Sequence, residues 1–160
     1  MGRADKAGRS GRFGRRSVTH FAKDELSFLT RMRVARLATA DASGQPRVVP
    51  IVFAVDDDRL YTPLDDKPKS VSPSQLKRVR NLLANPQVAI VVDEYDEDWS
   101  KLAWVLISGR GELVESGDIH AAGVGLLHAK YPQYRKMPLD NRPLIVVTPE
   151  RVTSWKGGSA

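Results

Sequence analysis

A mainly β fold, a small antiparallel barrel with helices on its outside, is predicted by three features of the 160-residue chain. Apolar runs of strand length recur between turn signals, neighbouring runs lie close enough to pair as hairpins, and the helical periods fall between runs rather than in one block. A chain of this length holds one core comfortably and two poorly. No internal repeat is visible. The expected organisation is a flexible basic tail over residues 1–17 and a single domain over residues 18–160.

The tail, MGRADKAGRSGRFGRRS, sets Arg3, Lys6, Arg9, Arg12, Arg15 and Arg16 against Asp5 alone, so nearly all of the net charge of +6 lies there. Its Gly, Ser and Arg content cannot bury enough surface to fold. A salt-sensitive contact with nucleic acid or anionic lipid is the sharper reading of that charge; a plain extension is the simpler one, and specific nucleic-acid binding is not expected. Arg15-Arg16 is followed by no apolar stretch of the kind an export signal needs.

Leu26, Leu29 and Met32 in KDELSFLTRMR repeat with helical period, and from Val34 the pattern becomes strand. The run ARLAT, a turn ending at Gly44, the run QPRVVPIVFAV, an acidic turn at Asp56 to Asp58 and the run RLYTP predict a three-strand meander. A charged helix follows. In SPSQLKRVRNLLANP, Ser72 reads as the N-cap, Pro73 as the first helical residue and Gln75 as the closing member of a capping box. Leu76, Val79 and Leu83 are expected toward the core, Lys77, Arg78 and Arg80 toward solvent or a ligand, and Asn85-Pro86 ends the helix. Helix starts favour anions, so cations gathered at this end, together with Lys67 and Lys69 in the loop before it, call for an anionic ligand or tolerate a conflict with the dipole.

QVAIVVD is a strand, EYDEDWS an acidic loop, and LAWVLISGRGELV a long strand. Leu102, Trp104 and Leu106 point one way along it and Ala103, Val105 and Ile107 the other, so both faces are expected to be covered. SGDIHAAGVGLLHAKYP reads as a helix capped near Ser116 or Asp118, with Gly123 and Gly125 marking close packing and Pro132 its stop. QYRKMPLDNRP is loop, and LIVVT and RVTSW are two short strands divided by Pro149, for six or so strands in all.

Composition narrows the function. Hydrophobic residues are 41% and charged residues 28%, and no apolar run approaches the length of a membrane-spanning helix. Without Cys the chain has no disulfide, thiolate metal site or cysteine nucleophile, which fits a cytoplasmic protein. His20, His120 and His128 are scattered, so no metal site is expected, and the acidic loop lacks the alternating ligands and central glycine of a calcium loop. There is no G-x-S-x-G, P-loop or dinucleotide fingerprint. If the protein is an enzyme, a bound cofactor supplies its reactivity.

The order RVARLATADASGQPRVVPIVFAVDDDRLYTPLDD, then LKRVRNLLANPQVAIVVD, then VLISGRGELV and the terminal SW resembles the flavin and deazaflavin split β-barrel proteins, the superfamily that includes pyridoxamine 5′-phosphate oxidases. The resemblance covers about Phe21 to Lys156 and implies a six-stranded antiparallel Greek-key split barrel, FMN-binding-like, working as a homodimer with its cofactor site at the interface. The superfamily's flavin-phosphate motif matches at RVVPIV, with Arg47 and Val49 in its arginine and valine positions, its Tyr-Thr at Tyr61 and Thr62 and its basic pair at Lys77 and Arg78 counted back from NP. The resemblance implies that Arg47, Lys77, Arg78 and the Thr62 hydroxyl hold the phosphate. Val52 stands where the superfamily's motif has a closing lysine, and the chain ends SWKGGSA without the Arg-x-His of the oxidases. Those departures, with Lys67 and Lys69 as an enlarged basic rim, make it more similar to the relatives that bind coenzyme F420, whose phosphate continues into a polyanionic tail. The implied function is hydride transfer between that deazaflavin and a small conjugated substrate, with Val48, Val49, Pro50, Ile51 and Val52 along the ring and Tyr95 and Trp99 as a candidate rim. FMN is the alternative cofactor, and a non-catalytic flavin carrier the alternative function.

Overall fold

The structure, a computed structural model, describes residues 19–64 and 72–158. The basic tail, Lys67 and Lys69 lie outside the described residues. Three helices, α1 (Lys23–Arg31), α2 (Lys77–Ala84) and α3 (Asp118–Lys130), accompany seven strands: β1 (Ala35–Ala40), β2 (Pro46–Ile51), β3 (Ala54–Val55), β4 (Leu60–Pro63), β5 (Gln87–Glu94), β6 (Ala103–Val114) and β7 (Leu144–Lys156). They form one antiparallel sheet in the order β2-β1-β5-β6-β7-β4-β3.

The sheet has seven strands where the resemblance implies six, and one apolar run is split by a break that sequence did not announce. QPRVVPIVFAV was expected to be one strand, but it leaves the ladder at Val52 and Phe53, and its two halves pair with opposite partners, β2 with β1 and β3 with β4. Since β2 and β3 are also the two edges of the sheet, two residues of chain join the edges, and the sheet must curl upon itself. The break is pinned by Tyr131. Its hydroxyl accepts from Phe53 N–H at 3.1 Å and can donate to Phe53 O at 2.9 Å or Arg33 O at 2.8 Å. The backbone groups given up by the ladder are thus satisfied by one buried phenol.

Inside the curl lies the main core, built on Leu37, Phe53, Leu60, Ile90, Ile107 and Val147, with α1 and α2 closing it through Leu29, Val79 and Leu82. A second cluster forms where α3 lies on the sheet, on Tyr61, Val124, Leu127, Tyr131, Leu144 and Val146. Alternation along β4 and β7 therefore feeds two cores, with Leu60 in one and Tyr61 in the other. Gly123 allows the α3 contact, because a Cβ there would strike the Tyr61 ring and come within 2.7 Å of Leu144 Cδ1. Gly125, expected to mark close packing too, has open space where its Cβ would be. The α3 N-cap is Gly117, with φ of 91°, rather than Ser116 or Asp118.

Three further expectations fail for stated reasons. Only one face of β6 is covered: Val105 and Ile107 are buried, while Leu106 is 38% exposed and lines an open cavity of about 630 Å³ with Val48, Val91 and Trp104. LIVVT and RVTSW are one strand, because the register with β6 slips between Ser108 and Gly109, leaving Glu150 as the extra residue of a bulge beside Pro149. Gly109 lets that proline approach, a Cβ there striking Thr148 O. The charged helix does not begin at Pro73. Pro73–Gln75 is a single 3-10 turn, Leu76 is extended, Ser72 makes no cap bond, and α2 starts at Lys77.

Candidate functional site

The start of α2 sits over the end of the β1–β2 hairpin. Ala35, Leu37 and Thr39 face inward on β1, and the register sets Arg47 of β2 directly opposite Thr39, with Val49 and Ile51 following Arg47 toward the core. The Asn81 amide of α2 donates to Thr39 Oγ1 at 3.1 Å. That bond accounts for the helix's rotation. Its buried face is centred on Leu82, with Asn81 on one shoulder and Val79 on the other, so Leu83, expected in the core, is 66% exposed. One turn before Asn81, the Lys77 ammonium reaches Asp41 at 3.5 Å.

Asp41 organises the hairpin turn. It accepts from the Ser43 hydroxyl at 2.7 Å and from the Ser43 and Gln45 amides at 3.0 Å each. The Ser43 hydroxyl, the Gln45 amide and, more weakly, the Lys77 charge lower its pKa to about 2, so it is ionised at any ordinary pH. Gly44, with φ of 86°, completes the turn.

Two features of this hairpin end suit an anion, and a third concerns a buried amide. The first turn of α2 holds Lys77 and Arg78 with no acidic residue and no capping side chain. Arg47 has no carboxylate partner among the described residues. Asn81 is 1% exposed, and its Oδ1, an acceptor, is buried without a hydrogen-bond partner, so it calls for a donor and not for an anion. Arg47, the basic first turn and the uncapped start of α2 lie on one side of the hairpin, a setting that suits a phosphate. A flavin or deazaflavin phosphate therefore fits these residues.

The other sequence-predicted residues divide. Val48 is 62% exposed and Val49 and Ile51 turn toward the main core. β2 is an edge strand, and the pairing of Pro46 and Pro50 with β1 shows which backbone groups are free: residues of that parity turn their N–H side away from the ladder, so Val48 N–H faces the open edge between two prolines. Val52, at the break, packs against the α3 cluster. Thr62 is 2% exposed on β4, opposite Ile145. Tyr61 is turned the other way, into the α3 cluster. Its hydroxyl donates to Asp56 at 2.5 Å, and burial, then that bond, push its pKa up to about 12. The structure thus groups Arg47, Lys77 and Arg78 at one hairpin end and leaves Tyr61 apart. Tyr95 and Trp99 are 67% and 71% exposed on the acidic loop. Sequence reasoning missed Thr39 and Asn81; the signal was an asparagine on the apolar side of a short helix, where a polar residue needs a partner.

The pyridoxamine 5′-phosphate oxidase family profile matches residues 22–156. The chain belongs to that family. It is 30% identical over 98 residues to a 5a,11a-dehydrotetracycline/5a,11a-dehydrooxytetracycline reductase of Streptomyces rimosus, a match spanning 61% of this chain and 66% of the relative. Its fold is shared with a FAD-binding protein of Mesorhizobium loti, with a TM-score of 0.63, 24% identity and coverage of 85% and 95% of the two chains. The haem-storage protein HutZ of Vibrio cholerae has the same fold, with a TM-score of 0.65, 19% identity and coverage of 82% and 91%. At these identities the likeness concerns the fold alone. Family membership places the chain among the pyridoxamine 5′-phosphate oxidase-like proteins.

Proposed function

We propose that the protein is a deazaflavin-dependent reductase that uses coenzyme F420 and acts on a small conjugated substrate. The observation that carries this reading is the α2 start, where Lys77 and Arg78 stand against the helix dipole beside Arg47, with no acidic residue in the first turn. Support comes also from the reductase relative and from Val52, which takes the place of a lysine that the flavin oxidases use. Arg47, Lys77, Arg78 and Thr62 hold the phosphate in this reading. The free edge of β2 offers Val48 N–H, and carbonyls of the same parity, to the polar rim of a planar heterocycle. When bound, the deazaflavin supplies a ring carbon that carries the hydride. The chain's own residues position the pair and exclude water.

In this reading the protein works as a homodimer, the partner covering the apolar face of Val48, Val91, Trp104 and Leu106 and closing the cofactor groove. Light scattering should report a dimer, and Leu106→Arg should yield a folded monomer with weakened cofactor binding; a wild-type monomer would remove this element. FMN is the competing cofactor, favoured by the family match itself. Titrating the purified protein with both distinguishes the two. Tight binding of F420 with FMN at least tenfold weaker is expected, whereas FMN binding without F420 binding would overturn the proposal. Turnover of reduced cofactor with any of a panel of quinones and enones would exclude a mere carrier.

A further inference from the structure

At the far end of β2, beyond the strand break, lies a cavity of about 560 Å³ that the phosphate site does not use. Its walls are Val34, Val52, Tyr131, Tyr134 and Met137, and its one charged lining residue is Arg33. The guanidinium lies 5.6 Å from the Tyr131 ring centroid and donates one N–H to the Lys130 carbonyl, at the C-terminal end of α3. No carboxylate pairs with Arg33 among the described residues. Directly behind it, the Lys130 ammonium donates to Leu29 O at 3.0 Å and lies 4.0 Å from the Phe53 ring centroid, and it too lacks a carboxylate. Burial, then the Arg33 charge, lower its pKa to about 8. The protein has thus packed two like charges side by side against aromatic rings. Elsewhere in the described chain Arg31, Arg36, Arg59, Lys77 and Lys101 each have an acid. An unneutralised cation pair bordering an apolar slot favours a ligand with a flat apolar body and one anionic oxygen.

We infer that this cavity is the substrate pocket and that it takes a planar conjugated molecule bearing an anionic oxygen, an enolate, phenolate or aryl carboxylate, with that oxygen on Arg33. The inference rests on the proposed reductase reading, since Val52 joins the pocket to the strand along which the cofactor ring would lie. Tyr131 and Tyr134, whose rings meet edge to face with centroids 6.0 Å apart, form the aromatic wall. Arg33 sets the sign of charge accepted, and Val52 and Met137 set the width.

The test uses salicylate and its neutral analogue salicylamide as probes, with binding to the cofactor-free protein followed by ligand-observed NMR. Salicylate is expected to bind at least tenfold more tightly than salicylamide, and Arg33→Gln should bring the two within about twofold while Arg33→Lys keeps part of the preference. Gln133→Glu, which adds a carboxylate to the pocket lining, should weaken salicylate and spare salicylamide, and it serves if Arg33→Gln does not fold. Equal binding of the two probes by the wild type, or a preference that survives both variants, would overturn the inference. F420 titration of Arg33→Gln separates this proposal from the cofactor reading. Unchanged F420 affinity with lost salicylate preference supports both; a preserved salicylate preference in a protein that binds no F420 defeats the cofactor reading and leaves an anion pocket.

Discussion

Helix α3 begins with Asp118 and ends with His128 and Lys130, the arrangement the helix dipole favours, and α1 does likewise with Asp24 and Glu25 at its start and Arg31 at its end. Helix α2 begins with Lys77, Arg78 and Arg80 and has no acid in its first turn. The packing of the two differs in the same sense. α3 presses Gly123 onto Tyr61 and Leu144 and buries Val124 and Leu127. α2 buries Val79 and Leu82 but spends a third buried position on Asn81, whose amide is only partly satisfied. One helix is built to stabilise the fold, and the other holds a charge arrangement that its dipole disfavours and that a bound anion would relieve on the proposed reading.

Substitutions at the two helices should accordingly fail in different assays. The largest effect expected is on α3: Gly123→Val forces a branched side chain into the Tyr61 ring and should destabilise the protein by about 3 kcal/mol, read as a lower Tm. Gly125→Ala, two residues away in open space, should be neutral or stabilise by up to about 1 kcal/mol through helix propensity. Equal behaviour of the two glycines would break the claim that α3 is a packing helix.

On α2 the double variant Lys77→Ala, Arg78→Ala should leave Tm nearly unchanged and weaken cofactor binding at least tenfold, since each lost charge-assisted bond costs about 1.5 to 3 kcal/mol. The loss should shrink at high salt. Wild-type affinity in the double variant would make these residues a solvated face, and unfolding would make them structural.

The smallest effect separates the α3 end by pH. Lys130 has a folded pKa of about 8 against an ordinary 10.5, so between those values the unfolded state holds more protons and stability rises with pH. Comparing wild type with Lys130→Met by denaturant midpoints, the wild type should gain on the variant from about pH 8 to about pH 10.5 and show no such trend below pH 7. A constant difference across the range would mean that Lys130 is not held in a cationic, half-buried setting.

Much of this was legible in the chain. Strands β1, β5 and β6, helices α1 and α3 and the turn at Gly44 follow from periodicity and turn residues, because each is decided by neighbours a few positions away. The basic cluster of Arg47, Lys77 and Arg78 was legible as residues, and the β1–β2 register and the α2 docking bring it together. The break at Val52 and Phe53 was not legible, since an unbroken apolar run reads as one strand until a distant tyrosine, Tyr131, satisfies the backbone at its middle. Nor was the rotation of α2, which depends on whether Leu83 or Asn81 finds a partner on β1.

The sequence by itself thus determined the class of the fold, the order of its elements and the sign of charge at the candidate cofactor site, all properties of short stretches. Only the tertiary structure decided that the sheet curls through a split strand, that Pro149 sits beside a bulge and that Tyr61 turns away from Arg47. It also set Arg33 and Lys130 side by side without an acid. Those outcomes depend on which distant groups satisfy a buried backbone, amide or charge, and a chain read in order holds the candidates without the pairing.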